Sequence, residues 1–188
     1  MTRPLPLTWL FVPADRPDRV ENALSSDAHA VIVDLEDGVA PESKEAARRN
    51  LATLLDRPRE KTVVVRVNGV ATGLAERDLQ AAGRLAGVDA IALPKVEEPD
   101  DVARAVALLP RELPLHCMIE SPAAVEAAYE IACAPGVAGV TLGEVDLCSQ
   151  TGALEDGLDW ARSRLVNAAV AASAFAQYAR LARIGNAE

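Results

Sequence analysis

The stretch Ala30-Val31-Ile32-Val33-Asp34-Leu35-Glu36-Asp37-Gly38 holds the pattern on which the fold turns: a short apolar run, rich in β-branched residues, that passes directly into a cluster of carboxylates. A run that is apolar at every position, rather than at alternate ones, reads as a strand covered on both faces, as in a parallel sheet. The same sign recurs at Trp9-Leu10-Phe11-Val12, Val63-Val64-Val65, Ala90-Ile91-Ala92-Leu93, Leu115-His116-Cys117-Met118-Ile119 and from Val137 to Leu142.

Helix signals lie between the runs. Asp15 with Pro17 suits a helix start, continued by Val20, Ala23 and Leu24. Pro41-Glu42-Ser43-Lys44-Glu45 opens a second, with Leu51, Leu54 and Leu55 on one face. Pro99-Asp100-Asp101 leads into Val102, Val106 and Leu109, and Ser121-Pro122 into Val125, Ala128 and Tyr129. Proline and acids in a first turn match the free N–H groups and positive dipole end of a helix. From about Leu158 to Ile184 the spacing predicts one long Ala-rich helix without a sharp break. Strand and helix alternate six times, which specifies an α/β fold with a parallel sheet.

No Gly-x-Gly-x-x-Gly follows the first run, which argues against dinucleotide binding and leaves an open sheet or a (β/α)8 barrel. The charges decide between them. Asp34, Glu36 and Asp37 follow the second run, Arg66 and Asn68 the third, Lys95 the fourth, Glu120 the fifth, and Glu144 and Asp146 the sixth. In a barrel such ends converge on one mouth, where this fold keeps its catalytic groups; in an open sheet, strands on either side of the switch point spread them apart. The expectation is a TIM (β/α)8-barrel-type fold with only about six βα units, residues 1–188 forming a single incomplete barrel domain.

Composition narrows the function classes. With 19 Lys and Arg against 28 Asp and Glu, the formal net charge is −9, and aromatics make up 3%, so a general nucleic-acid or anionic-membrane binder is excluded. No apolar stretch reaches the ~20 residues of a membrane-spanning helix. Met1 to Pro6 lacks a signal-peptide core, and Cys117, Cys133 and Cys148 form no CxxC pair, which together predict a cytoplasmic protein with reduced thiols.

Glu120 and Asp146 offer two hard oxygen ligands, the minimal protein share of a Mg²⁺ site whose other ligands are water and substrate. His29 and His116 stand apart, so no cluster favours a softer metal. Arg66 can hold a substrate carboxylate or the oxyanion of an enolate, with Asp34, Glu36 and Asp37 one strand away to orient it. Mg²⁺ chelated by a 2-oxo acid, with an arginine on developing negative charge, suits making or breaking a C–C bond through an enolate. Each group alone has a plainer reading: Asp37 as a turn residue before Gly38, Lys95 as a loop lysine, His116 as a core histidine, Glu144 as a surface acid. The weight rests on their recurrence at five successive strand ends.

Leu10-Phe11-Val12-Pro13-Ala14-Asp15-Arg16-Pro17, Val33-Asp34-Leu35-Glu36-Asp37-Gly38-Val39, Val65-Arg66-Val67-Asn68, Leu93-Pro94-Lys95, Ile119-Glu120-Ser121 and Gly143-Glu144-Val145-Asp146-Leu147 occur in this order. Together they resemble the citrate lyase β-subunit (CitE-like) branch of the HpcH/HpaI aldolase family, which also holds malyl-CoA and citramalyl-CoA lyases. The resemblance runs from about Trp9 to Phe175. It implies that Glu120 and Asp146 hold Mg²⁺, that Arg66 contacts the oxo-acid part and stabilises the enolate, that Asp37 is an acid near that arginine, and that Glu120 also contacts substrate. It places Arg16 where the CoA or carrier-linked portion binds.

The implied reaction cleaves a 3-hydroxy acyl thioester into an acyl thioester and a 2-oxo acid. The implied assembly is a homo-oligomer, a trimer or hexamer of barrels. The alternatives are a free-acid 2-oxo acid aldolase of the same family and a catalytically silent short paralogue that binds a partner. Two departures stand out. Ser121 replaces a common Thr, and the pattern of a seventh strand and of an eighth ending in Ile-His-Pro does not follow Arg162-Ser163-Arg164-Leu165. Six units cannot close an eight-stranded barrel, so the chain is expected to be a fragment of a longer product or to complete itself by association.

Overall fold

The computed structural model describes residues 6–173 and 175–176, which fall into two compact units. The first comprises the described residues up to Ala92 together with Leu108–Leu113; the second comprises Leu93–Ala107 and the described residues from Pro114 onward.

The first unit begins with β1 (Trp9–Pro13), α1 (Pro17–Leu24) and β2 (Ala30–Asp34). A 3₁₀ turn at Pro41–Ser43 then leads into α2 (Lys44–Leu54), followed by β3 (Thr62–Arg66), α3 (Ala75–Gly83) and β4 (Ala90–Leu93). The strands pair in parallel, β1 with β2, β2 with β3 and β3 with β4. Their register sets Pro13 beside Asp34, Asp34 beside Arg66, and Arg66 beside Ala92, so the C-terminal ends form one row. Every residue of β2 is buried, as the uninterrupted apolar run requires. The helices close over the sheet with Val20 and Ala23 from α1, Leu51 and Leu54 from α2, and Leu79 and Ala82 from α3.

The second unit contains β5 (Leu115–Ile119), the short helices α5 (Pro122–Glu126) and α6 (Ala128–Ala132), β6 (Val137–Leu142), α7 (Glu144–Thr151), α8 (Asp159–Ala171) and a two-residue β7 (Phe175–Ala176). Helix α4 (Pro99–Leu108) precedes β5. β5 pairs in parallel with β6, with a register shift between Leu115 and His116, and β6 pairs in parallel with β7. All six apolar runs are therefore strands, and the fold is parallel α/β as expected.

The last helix differs from expectation. The Ala-rich pattern predicts one helix from about Leu158 to Ile184, but α8 ends at Ala171 and β7 follows. Ser173, at φ 58°, turns the chain in the left-handed conformation, and its N–H donates to the Val170 carbonyl at 3.1 Å. That turn normally falls to Gly, so a serine there gives no sign in the sequence. Pairing of Phe175 and Ala176 with Gly139 and Val140 then outweighs the helical propensity of alanine. The remainder of the expected helix, 177–184, lies outside the described residues. The stop of α7 is the ordinary one, with Gly152 at φ 71°.

Cys117 is buried, Cys133 exposed and Cys148 half-buried, and all three are free thiols. Burial, with the charge of Asp101, pushes the Cys117 thiol up to about 12, so it packs as a neutral apolar group. Among the described residues no helix is long and apolar enough to cross a membrane.

One charged pair is buried in the first unit. The Arg48 Nε donates to Asp78 Oδ1 at 2.6 Å, and Asp78 Oδ2 accepts from the Asn68 backbone N–H at 2.9 Å and from its side-chain amide. Removing one member of such a pair strands the other charge away from water. Asp78→Ala is therefore expected to lower unfolding free energy by about 3–5 kcal/mol in urea titrations. Removing Asp56, whose bond to Arg57 lies at the surface, should leave the midpoint unchanged; equal losses for the two variants would contradict a buried role for Asp78.

Candidate functional site

The β2 end is organised around one carboxylate. Asp34 is the last residue of β2, and its Oδ1 accepts from the Glu36 N–H while its Oδ2 accepts from the Gly38 N–H, both at 2.8 Å. These bonds fold the Leu35–Gly38 segment back over the strand end. Asp34 also grips Arg66, the last residue of the neighbouring β3, through Nε–Oδ1 at 2.7 Å and Nη2–Oδ2 at 2.6 Å. The third nitrogen, Nη1, lies 3.1 Å from Glu36 Oε2. A two-point bond between a fork and a carboxylate fixes the plane of the guanidinium as well as its position.

Burial of the Arg66 guanidinium disfavours its charge, but the bonds to Asp34 and the charges of Glu36 and Asp37 outweigh that cost and raise its pKa further. Arg66 is a permanent cation at physiological pH. The Phe11 ring of β1 lies 5.2 Å from the guanidinium carbon, on its face. The Asp34 grip uses Nε–H and one N–H of Nη2, and Glu36 lies against Nη1, so a second N–H on each terminal nitrogen is left over.

A second layer holds these loops in place. Lys44, at the start of α2, donates from Nζ to the carbonyls of Leu35 and Glu36, both at 2.6 Å, and to Asn68 Oδ1 at 3.0 Å. Asn68 in turn donates to the Leu35 carbonyl at 3.0 Å and is held by Asp78. Lys44 was legible only as part of a helix start, and Asp78 gave no sign in the sequence, because each acts on residues more than twenty positions away or through another side chain. Asp37 is exposed and acts on Arg66 through its charge. Arg16 caps the start of α1 in the loop after β1, bonded to Asp18 at 3.2 and 3.3 Å.

In the second unit the corresponding feature is Glu120, directly after β5 and 5% exposed. Its Oε2 accepts from the Lys95 N–H at 2.9 Å. Gly143 presses against its other side: a Cβ on that glycine would stand 2.3 Å from Glu120 Cγ and 2.7 Å from Oε1. Helix α7 starts one residue later, with Glu144 and Asp146 in its first turn. Glu144 is drawn away into a two-point bond with Arg162, at 2.8 and 2.7 Å. Among the described residues the Asp146 carboxylate has no hydrogen-bond or ion-pair partner.

Glu120 and Asp146 are thus two carboxylates in one unit, one bonded by a backbone N–H and the other uncommitted among the described residues. Among the described residues no three His, Cys, Asp or Glu side chains gather into a closed cage. That donor set fits Mg²⁺, which takes one or two protein carboxylates and keeps positions for water and a substrate oxygen.

The cradle of Asp34 is testable through Gly38, where a Cβ would lie 2.4 Å from Asp34 Oδ2. Because Arg66 and two backbone amides pin that carboxylate, Gly38→Ala should lower stability by about 1–3 kcal/mol. Gly73→Ala, with nothing within 4 Å of the added carbon, should be near neutral. Equal urea midpoints for the two variants would show that Asp34 is not held as described.

The family model described as HpcH/HpaI aldolase/citrate lyase matches residues 7–184. The chain is 38% identical over 145 residues to a (3S)-malyl-CoA thioesterase of Cereibacter sphaeroides, a match covering 76% of this chain and 50% of that protein. It is 39% identical over 180 residues to a citrate lyase subunit beta-like protein of Mycobacterium tuberculosis, covering 91% and 62% respectively. Among solved structures, the M. tuberculosis citrate lyase beta subunit complexed with oxaloacetate and magnesium superposes with a TM-score of 0.77 at 35% identity, over 89% of this chain and 75% of that one. The chain therefore spans only about half the length of the Cereibacter protein. On a match across nearly its whole length, the chain belongs to the HpcH/HpaI aldolase/citrate lyase family.

Proposed function

We propose that this chain carries the metal- and substrate-binding part of a Mg²⁺-dependent carbon–carbon lyase. The substrate is a 3-hydroxy acyl thioester of the citryl-, malyl- or citramalyl-CoA kind, and the products are an acyl thioester and a 2-oxo acid. The observation that carries this reading is Arg66, locked by Asp34 and Glu36 with donors left over for a ligand. Two facts about relatives support it: the M. tuberculosis structure is a complex with oxaloacetate and magnesium, and the Cereibacter protein is named for a malyl-CoA thioester.

In this reading Glu120 and Asp146 hold Mg²⁺. Bound there, the ion supplies Lewis-acid polarisation of the oxygens of a 2-oxo acid. Arg66 meets the negative charge that develops during cleavage. The 3-hydroxyl loses its proton and becomes the carbonyl of the 2-oxo acid, while the electron pair of the breaking C–C bond passes to the thioester as an enolate. A proton delivered to the enolate α-carbon then leaves the acyl thioester. Asp34 and Glu36 are buried against Arg66, whereas Asp37 is exposed beside them, which suits Asp37 to exchange protons with substrate and solvent. Glu120 borders the bound oxo acid, and Arg16, on the loop after β1, takes the CoA or carrier-linked portion.

Titration calorimetry with Mg²⁺, with and without oxaloacetate, tests the reading. Mg²⁺ is expected to bind, more tightly with oxaloacetate present, and Glu120→Ala or Asp146→Ala should weaken it at least about tenfold. No binding by the wild-type chain, or unchanged binding after Glu120→Ala, would overturn the proposal. Where thioester cleavage is measurable, Arg66→Lys should cost about 10²- to 10³-fold in kcat, because a lysine cannot keep both the Asp34 grip and outward donors.

A further inference from the structure

Two non-glycine residues among those described adopt positive φ, Lys95 and Ser173. Ser173 ends a helix, as described above. Lys95 ends none: it follows the strand β4 and one proline, at φ 54°. A side chain in that region crowds its own backbone, and such a conformation persists only where the surroundings impose it.

The surroundings here impose it from several sides. Pro94 has no N–H and a fixed φ, so Lys95 supplies the first backbone donor after the strand. That N–H goes to Glu120 Oε2 at 2.9 Å. The next one, of Val96, reaches the Met118 carbonyl at 3.4 Å. The N–H groups of Glu97 and Glu98 turn to Asp101 Oδ2, at 2.8 and 3.3 Å. Ser121, directly after Glu120, donates from Oγ to Glu97 Oε2 at 2.6 Å while its hydroxyl also caps α5 by accepting from the Ala124 N–H at 3.1 Å. The segment from Lys95 to Glu98 is thus tied to β5 on both sides of Glu120, and the left-handed turn at Lys95 is what aims its N–H at the Glu120 carboxylate.

The geometry points to Lys95 as a positioning residue for the metal ligand Glu120, acting through its backbone: the left-handed turn holds Oε2 while Gly143 limits the other side, so that the carboxylate is presented in one orientation. This rests on the reading of Glu120 as a Mg²⁺ ligand. A carboxylate held by a charge-assisted N–H bond gives up little conformational freedom when it ligates a cation, so the strain at Lys95 is exchanged for affinity.

The test separates backbone from side chain. Glycine adopts the left-handed conformation without crowding, whereas a β-branched residue resists it. Calorimetric Mg²⁺ titrations of the chain should show Lys95→Val binding at least about tenfold more weakly than Lys95→Gly, two variants that both lack the lysine side chain and differ in their tolerance of the left-handed turn. Thermal melting without metal controls for folding. In the wild-type chain, the Lys95 amide resonance should shift as Mg²⁺ binds, an observation that stands even if Lys95→Val fails to fold. Wild-type affinity in Lys95→Val, a Lys95→Gly affinity as weak as that of Lys95→Val, or an unmoved Lys95 amide during Mg²⁺ binding would overturn the inference while leaving Glu120 as a ligand. Absence of Mg²⁺ binding by the wild-type chain would overturn the magnesium reading, and this inference with it.

Discussion

A strand covered on both faces cannot carry an uncompensated charge, and this constraint sorts the polar residues of the chain. The bodies of β2, β3 and β4 are Val, Ile, Ala and Leu, and the ionisable groups collect where those strands end. Collected there, they must be neutralised or hydrogen-bonded. In the first unit that requirement is met by Arg66, whose guanidinium is bonded at two points to Asp34 and lies within ion-pair distance of Glu36. Structure and chemistry are one interaction here: a bond that allows three acids and an arginine to stand together also gives the arginine a fixed plane.

The second unit solves the same problem differently. Glu120 accepts a backbone N–H, that of Lys95, and is confined on its other side by a glycine. Glu144 is neutralised by Arg162, and among the described residues Asp146 keeps an uncommitted carboxylate. The acids at the strand ends therefore divide into those that position an arginine and those suited to a divalent cation. The net charge of −9 thus includes groups with distinct tasks.

Much of this was legible in the residues. The apolar runs marked all six main strands because burial on both faces leaves an unbroken apolar signature. The partnership of Asp34 with Arg66 was legible as well, since both end neighbouring parallel strands in register. The end of α8 was not, because Ser173 takes a conformation that only a glycine would have announced. The roles of Lys44 and Asp78 were hidden for another reason: Lys44 reaches Asn68 and loop carbonyls from the next helix, and Asp78 acts through Asn68 and Arg48, and no local pattern encodes that. Lys95 was visible as a lysine at a strand end, but the bond from its backbone N–H to Glu120 follows from a left-handed turn that no residue type announced.

The central claim is that a divalent cation binds at Glu120 and Asp146 and not in the denser acid cluster of Asp34, Glu36 and Asp37. Paramagnetic Mn²⁺, standing in for Mg²⁺ in an amide-resolved NMR titration, tests it most directly, because broadening falls steeply with distance from the ion. The account predicts that the first amides to broaden are those of Lys95, Gly143 and Asp146. Broadening centred on Leu35 to Gly38, or spread evenly over the acidic surface, would contradict it.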